Sequence, residues 1–176
     1  MTRYAAFLRG VNVGGVNLKM ADVAAALAET GFSNVRTILA TGNVLMDSPD
    51  AAKAVRAAAE NALRQRFGYD AWVLVYPIKQ VQAIVDAYPF EPEVVGYQSY
   101  VTFVSDTDVL DELAALADDT GADEKISRGT DSAGVIYWQV PKNHTLDSTI
   151  GKTMGKKRYK SSTTTRNLRT LAKVLR

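Results

Sequence analysis

Apolar and polar positions along this chain alternate between a strand period and a helix period, and the switches mark its elements. Tyr4 to Leu8 is an apolar run with the pattern of a buried strand. Met20, Val23, Ala24, Leu27 and Ala28 then fall at i, i+3, i+4, i+7 and i+8, one face of a helix that Gly31 ends. Val35 to Leu39 and Val44 to Met46 read as strands around the turn residues Thr41-Gly42-Asn43, so they form a hairpin. Asp50 stands where an N-cap belongs, and Ala54, Val55, Ala58, Ala59, Ala62 and Leu63 make a second helical stripe. Phe67-Gly68-Tyr69-Asp70 turns the chain into a fourth strand, Ala71 to Tyr76. The predicted order is β-α-β-β-α-β, the split βαβ unit of ferredoxin-like domains. That topology puts the first loop, the hairpin and the last turn at one end of the sheet. Arg9, Asn12, Asn17 and Lys19 are therefore expected beside Thr41, Gly42 and Asn43.

Pro77 marks a boundary, which gives a first module over 1–77. Beyond it Val81, Ile84, Val85 and Tyr88 form a helical stripe, and Tyr100 to Val104 is a strand. Asp106 or Thr107 caps a helix carrying Leu110, Leu113, Ala114 and Ala117. Glu124 to Arg128 and Val135 to Val140 read as strands around a loop of Gly129 to Gly134. Residues 78–141 are thus a second α/β segment, with no residue-level repeat of the first. Over 142–176 the pattern turns helical. Leu146, Ile150 and Met154 are spaced by four, Ser161 to Thr165 is a hydroxyl cluster suited to N-capping, and Leu168, Leu171, Ala172 and Leu175 make a final amphipathic helix. That stripe predicts a helical tail docked on the body.

Composition narrows the chemistry. The 176 residues are 47% hydrophobic and 23% charged, ordinary for a globular protein. There is no cysteine, which excludes disulfides and thiolate metal sites, and zinc or a Ser/His/Asp triad would have to pass through the single histidine, His144. No metal and no cofactor is expected. No apolar run approaches the ~18 residues of a membrane helix, and Met-Thr-Arg-Tyr leads into a strand pattern with no signal-peptide core. A cytoplasmic protein with no membrane partner is expected. The net charge of +2 hides an asymmetry: residues 142–176 carry +9 and the remainder −7. A basic end on an acidic body points to a polyanion partner or to docking of the tail, and a solvated face is the bland alternative.

Two phosphate-binding motifs fail on inspection. Gly151-Lys152-Thr153 resembles the end of a P-loop, but Leu146 stands where the first glycine is required, and the segment lies in a helical pattern. The glycines at 10, 14 and 15 do not spell a dinucleotide fingerprint, and no parallel βαβ unit follows. The loop from Arg9 to Lys19 still has physical content. Gly14 and Gly15 permit backbone N–H groups to converge, a helix start favours an anion, and Arg9 and Lys19 flank it. Thr163 to Asn167 offers a second anion site through Thr165, Arg166 and Asn167. The aromatics Trp72, Tyr100, Phe103, Tyr137 and Trp138 lie in strands, where they either stack bases or fill a core; the RNA-recognition signature is missing. Asp106, Asp108, Asp111 and Glu112 cluster at a helix start, where acids complement the dipole.

Leu8-Arg9-Gly10-Val11-Asn12-Val13-Gly14-Gly15 with Lys19-Met20, Val35-Arg36-Thr37, Thr41-Gly42-Asn43 and Thr164-Thr165-Arg166-Asn167 with Thr170 together resemble the bacterial domain of unknown function 1697 family, nearly end to end. The resemblance implies an α+β chain of two ferredoxin-like (α-β plait) modules and no established enzyme activity. Ile38 stands where the family often has tyrosine, Thr41 where it often has serine, and Leu168 where tryptophan often follows Arg-Asn. The leading expectation is a binding module for a phosphorylated ligand, a nucleotide or nucleic acid, at one polar site. Arg9, Lys19 and Arg166 supply charge; Gly14, Gly15 and Gly42 supply backbone donors; Asn12, Asn17 and Asn43 orient the ligand. An enzyme acting on a small phosphorylated or carboxylated substrate at the same site ranks lower, for want of an evident nucleophile or base. The third reading is a loop with a purely structural role.

Overall fold

The computed structural model describes residues 1–12, 16–129 and 134–176. The chain divides into two compact units, Met1–Val81 with Lys173–Arg176, and Gln82–Ala172.

In the first unit β1 (Thr2–Leu8), α1 (Met20–Glu29), β2 (Ser33–Ile38), β3 (Asn43–Ser48), α2 (Ala52–Phe67) and β4 (Val73–Pro77) follow in the predicted order. The sheet runs β2-β3-β1-β4, with every pairing antiparallel. Both helices bury one stripe each, Val23, Ala26 and Leu27 on α1 and Val55, Ala59 and Leu63 on α2. These join Tyr4, Ala6, Leu8, Val44, Met46, Val73 and Val75 in one core. Residues 2, 4, 6 and 8 of β1 share a face by the period of two, and the last three lie in that core.

Asp50 is not the cap of α2. Ala51 takes that position without a side-chain bond, because Asp50 is held by its backbone: its N–H donates to Ser48 Oγ at 3.1 Å and its carbonyl accepts from Tyr4 Oη at 2.6 Å. At the same end of the sheet Asp47 accepts from Asn34 Nδ2 at 2.8 Å and from Arg3 at 3.0 Å. These hydrogen bonds, Asn34 first, hold its carboxyl below the usual range. A depressed carboxylate stabilises the fold above the unfolded carboxyl pKa of about 4 and loses that contribution as pH falls through the folded value. Asp47→Asn is therefore expected to flatten the acid limb of a denaturation midpoint plotted against pH, below about pH 4. An unchanged limb would remove Asp47 from the account.

The second unit contains β5 (Tyr97–Val104), α4 (Thr107–Ala115), β6 (Lys125–Arg128), β7 (Val135–Pro141), α5 (Thr149–Met154) and β8 (Thr163–Asn167). Two helices lie at the limits of the units: α3 (Ile78–Asp86) leads into the second, and α6 (Leu168–Val174) follows β8. The second sheet runs β6-β7-β5-β8, all antiparallel, which is the first sheet's order over again. The basic segment thus supplies both the second helix and the fourth strand of a second plait. The hydroxyl cluster at Thr163 to Thr165 lies in β8 paired to β5, so it caps no helix; Asn167 Oδ1 does that work by accepting from Thr170 N at 2.8 Å. Leu146, expected on the α5 stripe, is outside the helix and exposed, while Ile150 and Met154 are buried. Asp106 caps α4 as expected, accepting from Val109 N at 3.1 Å.

The repetition reaches individual hydrogen bonds. Phe7 faces Asn43 and Leu8 faces Val73 in the first sheet; Phe103 faces Val135 and Val104 faces Thr163 in the second. Leu8 N donates to Gly42 O at 2.8 Å and Arg9 N to Trp72 O at 3.0 Å. Their counterparts are Val104 N to Gly134 O at 2.7 Å and Ser105 N to Ser162 O at 2.9 Å. Each plait therefore closes one sheet end by tying the exit of its first strand to a hairpin glycine and to the residue before its last strand.

Candidate functional site

The closed end of the first sheet gathers the residues that the topology predicts there. Beyond the two backbone ties, Asn12 joins the first loop to itself and to the hairpin. Its Oδ1 accepts from Leu18 N at 2.8 Å, and its Nδ2 donates to Leu18 O at 2.8 Å and to Ala40 O at 2.6 Å. Its own N–H donates to Val16 O at 2.8 Å, and Val11 and Val16 form a parallel bridge. Asn12 has φ of 56°, a left-handed conformation that asparagine tolerates better than most residues. With donor and acceptor both engaged by backbone, the Asn12 amide is a clasp between loop and hairpin.

Asn43 is likewise structural. It is fully buried, and its Nδ2 donates to Ile38 O at 2.9 Å and Thr41 Oγ1 at 3.1 Å, closing the hairpin from within. Gly42 has φ of 90°, and a Cβ there would stand 2.7 Å from Val11 Cγ2 and 2.8 Å from Leu8 Cβ. Its glycine serves close packing of loop on hairpin. Gly14 and Gly15, expected as backbone donors, lie outside the described residues.

Arg9, Asn17, Lys19 and Thr41 remain on the same end. Arg9 is half-buried, and desolvation lowers its guanidinium pKa, though a guanidinium stays charged at neutral pH. Asn17, Lys19 and Thr41 are exposed. Lys19 occupies the N-cap of α1 with no side-chain cap bond, whereas the equivalent helix α4 has Asp106 in that role. Sequence reasoning missed the residues that fix the third segment of this end. Glu60, paired with Arg56 at 3.2 Å, accepts from Val73 N at 2.9 Å. Arg64 donates twice to Ala71 O, at 3.2 and 2.9 Å, and lies 4.6 Å from the centroid of the Trp72 ring. The spacing of Arg56 and Glu60 signals the ion pair, but no local pattern shows that the carboxylate turns to a backbone N–H beyond the helix.

Thr165, Arg166 and Asn167 belong to the second unit. Arg166 is buried and donates to Thr164 Oγ1 and Thr165 O, both at 2.8 Å. Thr165 Oγ1 and Thr102 Oγ1 are 2.7 Å apart. These groups build β8 and the helix that follows it. Of the strand aromatics, for which stacking bases and filling a core are the two alternatives, Phe103, Tyr137 and Trp138 are buried, and Tyr100 stacks on Trp138 with centroids 4.4 Å apart. Gly151, the false P-loop glycine, lies within α5 under the Ser148 cap, and a Cβ there would run into Thr145 O. His144 is exposed, 3.3 Å from Asp147. Among the described residues no cluster of histidine and carboxylates is arranged to hold a metal ion, and no helix is long and apolar enough to cross a membrane.

The structure of the conserved bacterial protein SP0830 from Streptococcus pneumoniae matches this one with a TM-score of 0.77 and 20% identity, over 98% of this chain and 96% of that one. At that identity the likeness is one of fold. No curated protein matches the chain. Residues 1–133 match the family described as Protein of unknown function (DUF1697). With two plaits of the expected topology and a match over most of its length, the chain belongs to that family.

Proposed function

We propose that the chain is a binding module for a phosphorylated ligand, held at the closed end of the first sheet. The observation that carries this reading is that two cations, Arg9 and Lys19, flank a loop whose backbone Asn12 locks to the hairpin. The bonds of Asn12 to Leu18 and Ala40 lower the entropy that a ligand has to remove at those residues. A partly desolvated guanidinium pairs with phosphate more strongly than one in water, and Lys19 adds a second positive charge at a helix start that favours an anion. Asn17 and Thr41 are exposed polar groups at the same sheet end that would give such a ligand orientation. The asparagines 12 and 43 bond to the frame, and the two cations are the groups that would meet the ligand.

A thermal-shift panel of inorganic phosphate, pyrophosphate, nucleotides and phosphosugars tests this. Ligand at 100 times its Kd adds about 2.7 kcal/mol of stability, so a true ligand raises Tm visibly. Arg9→Ala and Lys19→Ala are each expected to abolish the rise. A panel in which no compound raises Tm, or variants that respond like the wild type, would contradict the proposal.

A further inference from the structure

The second plait repeats the closed sheet end of the first, and what it carries there differs. The ties from Val104 N to Gly134 O and from Ser105 N to Ser162 O bring the connection between α5 and β8 to that end. This connection holds Lys156, Lys157 and Lys160, with Lys152 just before it on α5; all four are exposed, and none makes an ion pair among the described residues. The segment is nonetheless anchored. Tyr159 is buried, its carbonyl accepts from Thr163 Oγ1 at 2.8 Å, and Arg158 is held on Glu112 by two nitrogens at 2.9 to 3.2 Å. Three lysines thus stand on a fixed turn and a fourth on the helix before it, while the one arginine of the run is held on Glu112.

We infer that this lysine edge docks the phosphate backbone of a nucleic acid, without reading its sequence. Among the described residues from α5 to β8 the large apolar side chains Ile150, Met154 and Tyr159 all face inward. A protein partner needs a buried anchor at the centre of its interface, and a bilayer surface holds lysines that have no inserting apolar neighbour by charge alone, at about 1 kcal/mol each. Repeated phosphates need only spaced cations, which bind by releasing condensed counterions. The inference concerns residues of the second unit and does not depend on the Arg9 loop.

Fluorescence anisotropy of labelled single-stranded and duplex oligonucleotides, titrated at several salt concentrations, tests it. Each phosphate neutralised on duplex contributes about −0.9 to the slope of log K against log salt. The triple variant K156A/K157A/K160A is expected to weaken binding at low salt by at least tenfold and to make the slope shallower by roughly 2 to 3, with an unchanged thermal midpoint. The triple Lys→Arg variant should bind like the wild type, which excludes a folding artefact. No binding at low salt, an alanine triple with wild-type affinity and slope, or binding to anionic lipid vesicles without binding to oligonucleotides would each overturn the inference.

Discussion

Gly42→Ala is expected to destabilise the first unit by about 3 kcal/mol, from two separable costs. At φ of 90° an L-residue is strained, a penalty of roughly 1–2 kcal/mol. The added Cβ also meets Val11 Cγ2 and Leu8 Cβ at 2.7 and 2.8 Å, and overpacking typically costs another 1–3 kcal/mol. Leu8 cannot give way easily. It sits in the core, and its N–H is bonded to the Gly42 carbonyl. Gly10→Ala separates the two costs. Gly10 has φ of 73° with nothing within 4 Å of its Cβ position, so that variant bears the backbone strain alone, about 1 kcal/mol. Denaturant unfolding of both variants should show Gly42→Ala losing markedly more. Equal losses would mean that the hairpin does not pack on the loop as described.

Asn12→Ala is expected to cost a comparable 2–4 kcal/mol, since Leu18 N, Leu18 O and Ala40 O each lose a partner at about 1 kcal/mol or more per group. Asn12→Gly isolates the bonds from the backbone, because glycine adopts the left-handed conformation freely. It should recover only the strain and remain well below the wild type in denaturation midpoint. If Asn12→Gly is as stable as the wild type, the clasp contributes nothing. The consequence for binding is separate. A loop freed from the hairpin must be ordered again by the ligand, so affinity should fall in Asn12→Gly even at temperatures where the protein stays folded.

These two residues show how much the sequence displays. The first plait is legible because its helices keep clean apolar stripes and Thr41-Gly42-Asn43 is strong turn chemistry; its topology alone places Arg9, Asn12 and Gly42 together. The roles within that end are not legible, since whether an asparagine amide meets a ligand or a carbonyl depends on three-dimensional partners such as Ala40 O, 28 positions away. The second plait is harder for a different reason. Its fourth strand, Thr163–Asn167, is made of hydroxyl, guanidinium and amide side chains, which resemble a helix cap until the pairing with β5 buries Thr163 and Thr164. Charge masks topology there: the basic run has the composition of a tail, while the buried Ile150, Met154 and Tyr159 knit it into the second unit. The duplication lives in backbone register, where no residue identity has to repeat.

The Arg9 to Lys19 loop is the proposed ligand site. Amide chemical-shift mapping with pyrophosphate and with a nucleoside diphosphate tests it directly. Saturable shifts should cluster at Arg9, Val16 to Met20, Thr41 and Gly42, and Arg9→Ala should abolish them. Shifts confined to other parts of the chain, or none at millimolar ligand, would contradict it.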